Sequence, residues 1–445
     1  MTSRYLSLCA GLSVLLSGTF GYAQQLGPVT GGVVFQPQAQ VSPENGLLLS
    51  DSALLHLGGT LELGYDSNVF YEQQSPAHAL FLRVAPFLEL TNTARNGAVP
   101  SGLFFDARAT LAYKAYLDSS EDIRKLSAFS PSLSLTLEHN SNGTVALGFM
   151  DNFTRAQDAP YTRAEAEAGQ LIIRDNNLAS GQIRWSPGGG RLQGTFRLTN
   201  IFDYFEYEPL KPASSMTNEA MLDASWRWLP KTALFVQLRQ GYTFYINDTS
   251  PNAALKESAL VQGHAKSSSF PLRAVLGIRG LITEKTSIAL AMGYQNAFYS
   301  NGTSTYGFLG STLLTAELVV MPILPARITF GVRHDFQNSV IGNFYYDDGA
   351  YVSLSYTTLA RLVGSLWGSY DYKRYSDVPA LPVGVSQRVD NFVQAGAMLD
   401  YYLRSWLFGG LSYNLYLNDS NVSGVGLTGT TYTKHVVMAR LGITY

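Results

Sequence analysis

Residues 432–445 read YTKHVVMARLGITY. Counting back from Tyr445, every second residue is apolar or small: Tyr445, Ile443, Leu441, Ala439 and Val437. Between them stand Thr444, Gly442, Arg440, Met438 and Val436. A repeat of two puts successive side chains on opposite faces of an extended strand, whereas a helix needs a repeat near 3.6. The stretch reads as a strand with one apolar face and one mixed face that carries an arginine.

The same alternation runs through the chain. LLHLGGTLELGYD (54–66) sets Leu55, Leu57, Gly59, Leu61, Leu63 and Tyr65 against His56, Gly58, Thr60 and Glu62. LFFDARATLAYKAYLD (103–118) sets Leu103, Phe105, Leu111 and Tyr113 against Asp106, Arg108, Thr110 and Lys114. RLQGTFRLTNIF (191–202) and ARITFGVRHDF (326–336) behave alike. Such segments centre near residues 60, 85, 110, 133, 149, 178, 198, 222, 239, 276, 291, 315, 331, 352, 367, 395, 411 and 438.

What joins them is equally informative. Every second connection is a short turn, at 139–143, 187–190, 229–232, 282–286, 324–326, 357–361 and 403–405. The intervening connections are longer and polar, at 66–78, 118–127, 155–169, 205–217, 247–268, 299–306, 338–348, 375–388 and 418–430. Short and long connections in alternation put all the short turns at one end of an antiparallel sheet. The expected fold is all-β: a closed antiparallel transmembrane β-barrel of about 18 strands, with 16 as the fallback. In hydrocarbon every backbone N–H and C=O must be paired, so strands cross a membrane only as a barrel without edges. A soluble sandwich or solenoid would leave the long–short rhythm unexplained. Aromatics at segment ends (Tyr65, Phe70, Trp226, Trp228, Tyr242, Tyr370, Trp406) suit interfacial girdles.

Composition agrees. Only 14% of the 445 residues are charged and the formal net charge is −2, which gives no basis for a nucleic-acid partner. Gly (41), Tyr (27) and Phe (23) are abundant. Residues 1–23 have the build of an export signal, with Arg4, an apolar run from Leu6 to Leu16, and small residues before a cut after Ala23. Cys9, the one cysteine, falls inside it, so the exported chain would hold no thiol. Residues 24–53, rich in Gln, Pro and Gly, read as a flexible lead-in, and 54–445 as the barrel. That span exceeds the roughly 250–300 residues at which a solid core stops growing, a limit a hollow fold escapes. The expected location is the outer membrane of a Gram-negative bacterium, with the lipid bilayer as partner.

By parity the inward face carries Arg83, Arg108, Lys114, Arg174, Arg184, Arg197, Arg227, Arg239, Arg273, Arg279, Arg333 and Arg440. Glu62, Glu89, Asp106, Asp223, Glu317, Asp335 and Asp400 share that face. Cations outnumber anions there, while acidic pairs (Glu121–Asp122, Glu206–Glu208, Asp347–Asp348) fall in the long connections. Either the excess favours anionic solutes or it is a solvated, ion-paired wall. Tyr116, Phe205, Tyr245 and Tyr402 also point inward and could stack on sugars or pack the wall. No catalytic constellation, metal site or cofactor emerges. The histidines (56, 78, 139, 264, 334 and 435) are scattered, and SPGGGR (186–191) lacks the βαβ setting of a phosphate loop.

Two resemblances add expectations. HVVMARLGITY resembles the C-terminal signal of outer-membrane barrels, which implies that Val437, Ala439, Leu441, Ile443 and Tyr445 are read by the barrel insertion machinery. LELGYDSNVFYEQ (61–73) resembles the opening of the β-barrel porin family found beside bacterial exopolysaccharide synthesis and export systems, through Gly64, Tyr65, Asp66, Ser67, Asn68, Val69 and Phe70. The likeness in strand pattern covers about 55–445. It implies an exit channel for a secreted polysaccharide, the substrate being delivered by a separate periplasmic or inner-membrane export partner. On the residues alone the motif is equally an Asx-type turn ending a strand. Three functions stay open: polysaccharide exit, a general or selective porin for small solutes, and an outer-membrane hydrolase. A 247–268 connection folded inward would favour the small-solute porin.

Replacing Tyr445 with Asp, or deleting it, should lower the amount of barrel recovered in the outer-membrane fraction and leave degraded or aggregated chain in the periplasm. Unchanged outer-membrane levels on immunoblots would refute a recognition role for this residue.

Overall fold

The computed structural model describes residues 45–445 except 51, 95–96, 158–171, 247–266, 301–309, 324, 359–360, 377, 379–380, 382–383 and 423–430. The expected export signal, most of the lead-in and nearly all of the 247–268 connection therefore lie outside the described residues. The strands are β1 (Leu47–Ser50), β2 (Ala53–Asp66), β3 (Ala79–Thr91), β4 (Leu103–Leu117), β5 (Ala128–His139) and β6 (Val145–Gln157). There follow β7 (Ile173–Trp185), β8 (Leu192–Phe205), β9 (Ser215–Leu229), β10 (Thr232–Tyr245), β11 (Leu272–Thr283) and β12 (Thr286–Asn296). The series ends with β13 (Thr312–Val320), β14 (Ala326–Asn338), β15 (Phe344–Thr358), β16 (Leu362–Tyr375), β17 (Val389–Arg404), β18 (Leu407–Ser420) and β19 (Tyr432–Thr444).

From β2 to β19 each strand pairs antiparallel with its neighbours in sequence, and β19 pairs with β2 from Val436↔Asp66 to Thr444↔Gly58. The result is a closed barrel of eighteen strands, and every one of the eighteen expected segments falls on one of them. Strands about 4.8 Å apart and tilted by about 40° make such a barrel roughly 35 Å across, backbone to backbone. No described helix is long and apolar enough to cross a membrane, so strands make the crossing.

The facing follows the alternation. Leu111, Phe196, Phe330 and Leu441 are exposed on the outer surface, as are Leu61, Val84, Leu133 and Leu276. Trp185, Trp226, Trp228, Tyr401, Trp406 and Tyr445 gather near the short-turn end, and Tyr65, Tyr113, Phe129, Tyr242, Tyr294 and Tyr370 toward the other. Two aromatic belts flanking an aliphatic band are the surface of a barrel in lipid, where rings sit at the headgroups and alkyl chains at the hydrocarbon. The chain is an integral outer-membrane β-barrel.

Inside, six aromatics lie flat over glycines directly opposite them on the next strand. The pairs are Phe81–Gly64, Phe87–Gly58, Phe235–Gly277, Tyr351–Gly331, Trp367–Gly396 and Phe408–Gly442. A Cβ at any of these glycines would stand 2.1–2.5 Å from the ring. Close approach, and not backbone freedom, is what the position demands.

Three sequence readings need adjustment. The end of the expected lead-in, Leu47–Ser50, is strand β1, and Ala53 already belongs to β2. β19 covers β2 only as far as the Leu57–Tyr445 hydrogen bonds, and β1 takes the next step, with Leu47↔Leu55 and Leu48↔Leu54. Four residues are too few for an alternation to register. The connection expected at 338–348 is only 339–343, because β14 and β15 pair as far as Asn338↔Phe344. Asp347 and Asp348 are therefore strand residues; the carboxylates suggested a loop, but Arg333 and Arg374 neutralise them. One connection on the short-turn side, 92–102, is longer than the rest.

Arg placed at Leu111, in the middle of the lipid-facing band, should destabilise the barrel by about 2–4 kcal/mol. Urea unfolding in lipid vesicles would measure it. A loss as large for Thr110→Arg, on the opposite face, would show the register to be inverted.

Candidate functional site

Alternation delivers charged side chains to the bore, and the geometry pairs most of them. Arg83 meets Glu62 at 3.0 Å, Arg108 meets Glu89 at 3.2 Å, and Arg273 meets Asp335 at 3.0 Å. Arg174 and Asp203 share two hydrogen bonds, Arg279 lies 3.6 Å from Asp223, and Arg440 Nε donates to Asp400 at 2.8 Å. Arg333 bridges Asp347 (2.7 Å) and Asp371. Several of these cations also lie over inward rings: Arg108 over Phe87 at 4.0 Å, Lys114 over Phe81 at 4.5 Å, Arg279 over Phe235 at 4.9 Å and Arg440 over Phe408 at 5.7 Å. A guanidinium stacked on a ring and forked onto a carboxylate is held by three forces at once.

The remaining expected site residues fall differently. Arg184 gives a hydrogen bond to the carbonyl of Ser141 in a short turn, and Arg227 is exposed, which sets both at the short-turn rim. Glu317 accepts from the Tyr351 hydroxyl at 2.6 Å. Asp106 makes no ion pair within 4.0 Å among the described residues. Arg197 spends two donors on the Gln182 side-chain oxygen (2.7 and 3.2 Å), and Arg239 gives its Nε to Gln237 at 2.9 Å. Val437, Ala439, Leu441, Ile443 and Tyr445 all face outward and are exposed.

The outer mouth is filled by its own connections. Asp66 is fully buried there, 2.8 Å from Lys434, 3.9 Å from Lys114 and 3.1 Å from the Tyr116 hydroxyl, while its other oxygen accepts from the Asn68 N–H. Asn68 in turn binds the backbone of Glu72 twice and the carbonyl of Thr433. That is an Asx-type turn, so the plain reading of the GYDSNVF stretch is the one its geometry displays. It folds the 67–78 connection inward: Val69 and Tyr71 are buried, Lys434 sits 3.9 Å above the Tyr71 ring, and Tyr71 is held at φ 59°.

The 339–343 turn also reaches inward. Ile341 and Asn343 are buried, and Val340 packs against Ile172, Phe205, Leu210 and Ala213 beside β7–β9. β8 and β14 are six strands apart on the wall, a chord of roughly 30 Å for a barrel of this size. Contact over that span runs through the bore, not along the wall. Beneath the turn lies a cavity of about 110 Å³ lined by Arg174, Glu219, Tyr245, Arg273, Phe336 and Tyr345 among others. Sequence reading looked for an inward connection at 247–268, which is outside the described residues, and passed over this one. Its signal was faint: Val340 and Ile341 are apolar residues in a hairpin turn that would otherwise be polar.

His334 pairs through Nδ1 with the Asp348 carboxylate. His435 faces outward, with Nδ1 2.9 Å from the Tyr413 hydroxyl, and no three His, Cys, Asp or Glu residues cluster as metal ligands among the described residues.

Fold and wall together define a membrane-spanning β-barrel with a polar, ion-paired interior. No protein-family model matches the sequence, and none of the curated proteins compared with it is significantly similar. Solved structures with a related fold include the siderophore receptor PiuA from Acinetobacter baumannii (10% identity, TM-score 0.44, 88% of this chain and 82% of that one). The siderophore receptor PirA from Pseudomonas aeruginosa is another (9% identity, TM-score 0.41, 87% of this chain and 80% of that one). The similarity is one of fold alone.

Asp66→Asn should loosen the mouth, since two lysines lose the carboxylate that anchors them; breaking a buried pair costs about 3–5 kcal/mol. The expected outcome is a lower unfolding midpoint and new protease cleavage within 67–78. Wild-type resistance would place the anchoring elsewhere.

Proposed function

We propose that the protein is an outer-membrane channel of restricted bore that admits small hydrophilic solutes. What carries this reading is the contact of Val340 with the Phe205–Leu210 cluster, made through the bore. A hydrated polymer needs a clear duct, and a turn lodged across the mouth obstructs one. The wall supports the same reading, since paired charges and stacked rings give a polar, rigid surface past which a small solute can exchange its water for side-chain contacts. Residues 1–23 would be the export signal of this chain, and 437–445 its signal for insertion.

Exit of a secreted polysaccharide, with a separate periplasmic export partner, is the second reading. The resemblance at 61–73 favours it. Asp66 and Asn68 of that stretch are engaged in the turn, so neither offers its side chain to a passing glycan.

Purified protein in planar bilayers should conduct, and replacing 339–343 by Asn-Gly, a pair suited to a two-residue hairpin, should raise single-channel conductance and the size limit for sugars in liposome swelling. No change would locate the constriction elsewhere. A deletion strain that lost a surface polysaccharide, while keeping normal uptake of small solutes, would transfer the case to the second reading.

A further inference from the structure

One row of the wall, well inside the rim, leaves two arginines without a carboxylate contact. Arg197 on β8, Met221 on β9, Arg239 on β10 and Arg273 on β11 are direct cross-strand neighbours in sequence of register. Like charges directly opposite each other destabilise a sheet, yet Arg239 and Arg273 stand so. Arg273 has compensation: Asp335 at 3.0 Å and the Phe336 carbonyl at 2.8 Å. Arg197 and Arg239 have no such contact: Asp223 and Glu219 act on the first, and Glu219 and Asp335 on the second, only through space. Neither lies within 4.0 Å of a carboxylate among the described residues, and both rest only on glutamine oxygens.

Arg239 is only 4% exposed, so the little water that reaches its terminal nitrogens is a poor substitute for a counter-ion. A guanidinium held so far from solvent with one of its five donors satisfied is costly unless an anion completes it. Two carboxylates flank the row. Asp223, one step toward the short turns, is occupied by Arg279 and by the Gln237 amide at 3.3 Å. Glu219, one step toward the mouth, acts on both arginines through space but bonds to neither, and it lines the cavity under the 339–343 turn. Two cations that bond no carboxylate, against one carboxylate that bonds no cation, leave the row positive, directly below the cavity.

We infer that Arg197 and Arg239 form a binding step for a small oxyanion, a carboxylate- or phosphate-bearing solute, that enters through the cavity and displaces the influence of Glu219. The step rests on the channel reading given above and assigns its substrate class. Planar forks of N–H donors suit both oxyanions, and Gln182 and Gln237 fix the two forks in place.

The test uses inorganic phosphate as probe, with barrel folding checked by heat-modifiable gel mobility. In a potassium chloride gradient the wild type should be anion-selective, and added phosphate should reduce the chloride current in a saturable way. Arg197→Gln with Arg239→Gln should weaken that block by roughly tenfold or more, the size expected on losing charge-assisted hydrogen bonds. Glu219→Gln should strengthen it. Cation selectivity in the wild type, or a block indifferent to both variants, overturns the inference while leaving the channel in place. If the wild type does not conduct, the channel reading fails by itself, and calorimetry on the detergent-solubilised protein then decides the site. Saturable phosphate binding that the double variant loses upholds it; no saturable binding overturns it.

Discussion

The pairing of β19 with β2 is the constraint on which everything else depends. Thirteen-odd backbone groups on each edge would otherwise face hydrocarbon, where an unpaired N–H or C=O costs several kcal/mol. Once the seam from Val436↔Asp66 to Thr444↔Gly58 is made, no edge remains in the membrane. Alternation then ceases to be a choice. Each strand must present one face to lipid and one to the bore, and a slip of one residue would carry every arginine of the lumen into the bilayer. The charges, the rings and the inward connections all hang on that register.

Within the bore, the energetics favour local neutralisation. Arg83 with Glu62, Arg108 with Glu89 and Arg440 with Asp400 take the side chains that parity delivers and match them across adjacent or nearby strands. The excess of cations counted along the sequence is therefore not an excess spread evenly over the wall. It falls where carboxylate partners run out: at the rim with Arg184 and Arg227, and inside the wall at Arg197 and Arg239. The mouth works on a different principle: apolar and fully engaged polar residues from several connections, such as Val69, Tyr71 and Val340, close over the polar wall.

The barrel was legible in the sequence because a membrane forces a simple code, period two with long and short connections in turn. LFFDARATLAYKAYLD and the final YTKHVVMARLGITY carry that code without interruption. It failed where the code is too short, as at Leu47–Ser50, or where polar residues stay in a strand because a partner on the next strand neutralises them, as at Asp347. Lumen side chains could be placed by parity, but their partners could not. That Arg333 would join Asp347 and Asp371, and that Arg239 would join no carboxylate, depends on inter-strand stagger, which no single segment contains. The intruding 339–343 turn was hidden for the same reason. A five-residue link gives no hint of which wall it will touch.

The six ring-over-glycine pairs bear on hydraulics as well as on packing. Because Phe81, Phe87, Phe235, Tyr351, Trp367 and Phe408 recline against the wall, the rings, four of them buried under stacked cations, take up little of the bore. Were the glycines alanines, those rings would have to stand up, and the free cross-section would shrink at six places on five strands of the wall. The calibre of the passage is thus set partly by residues that have no side chain.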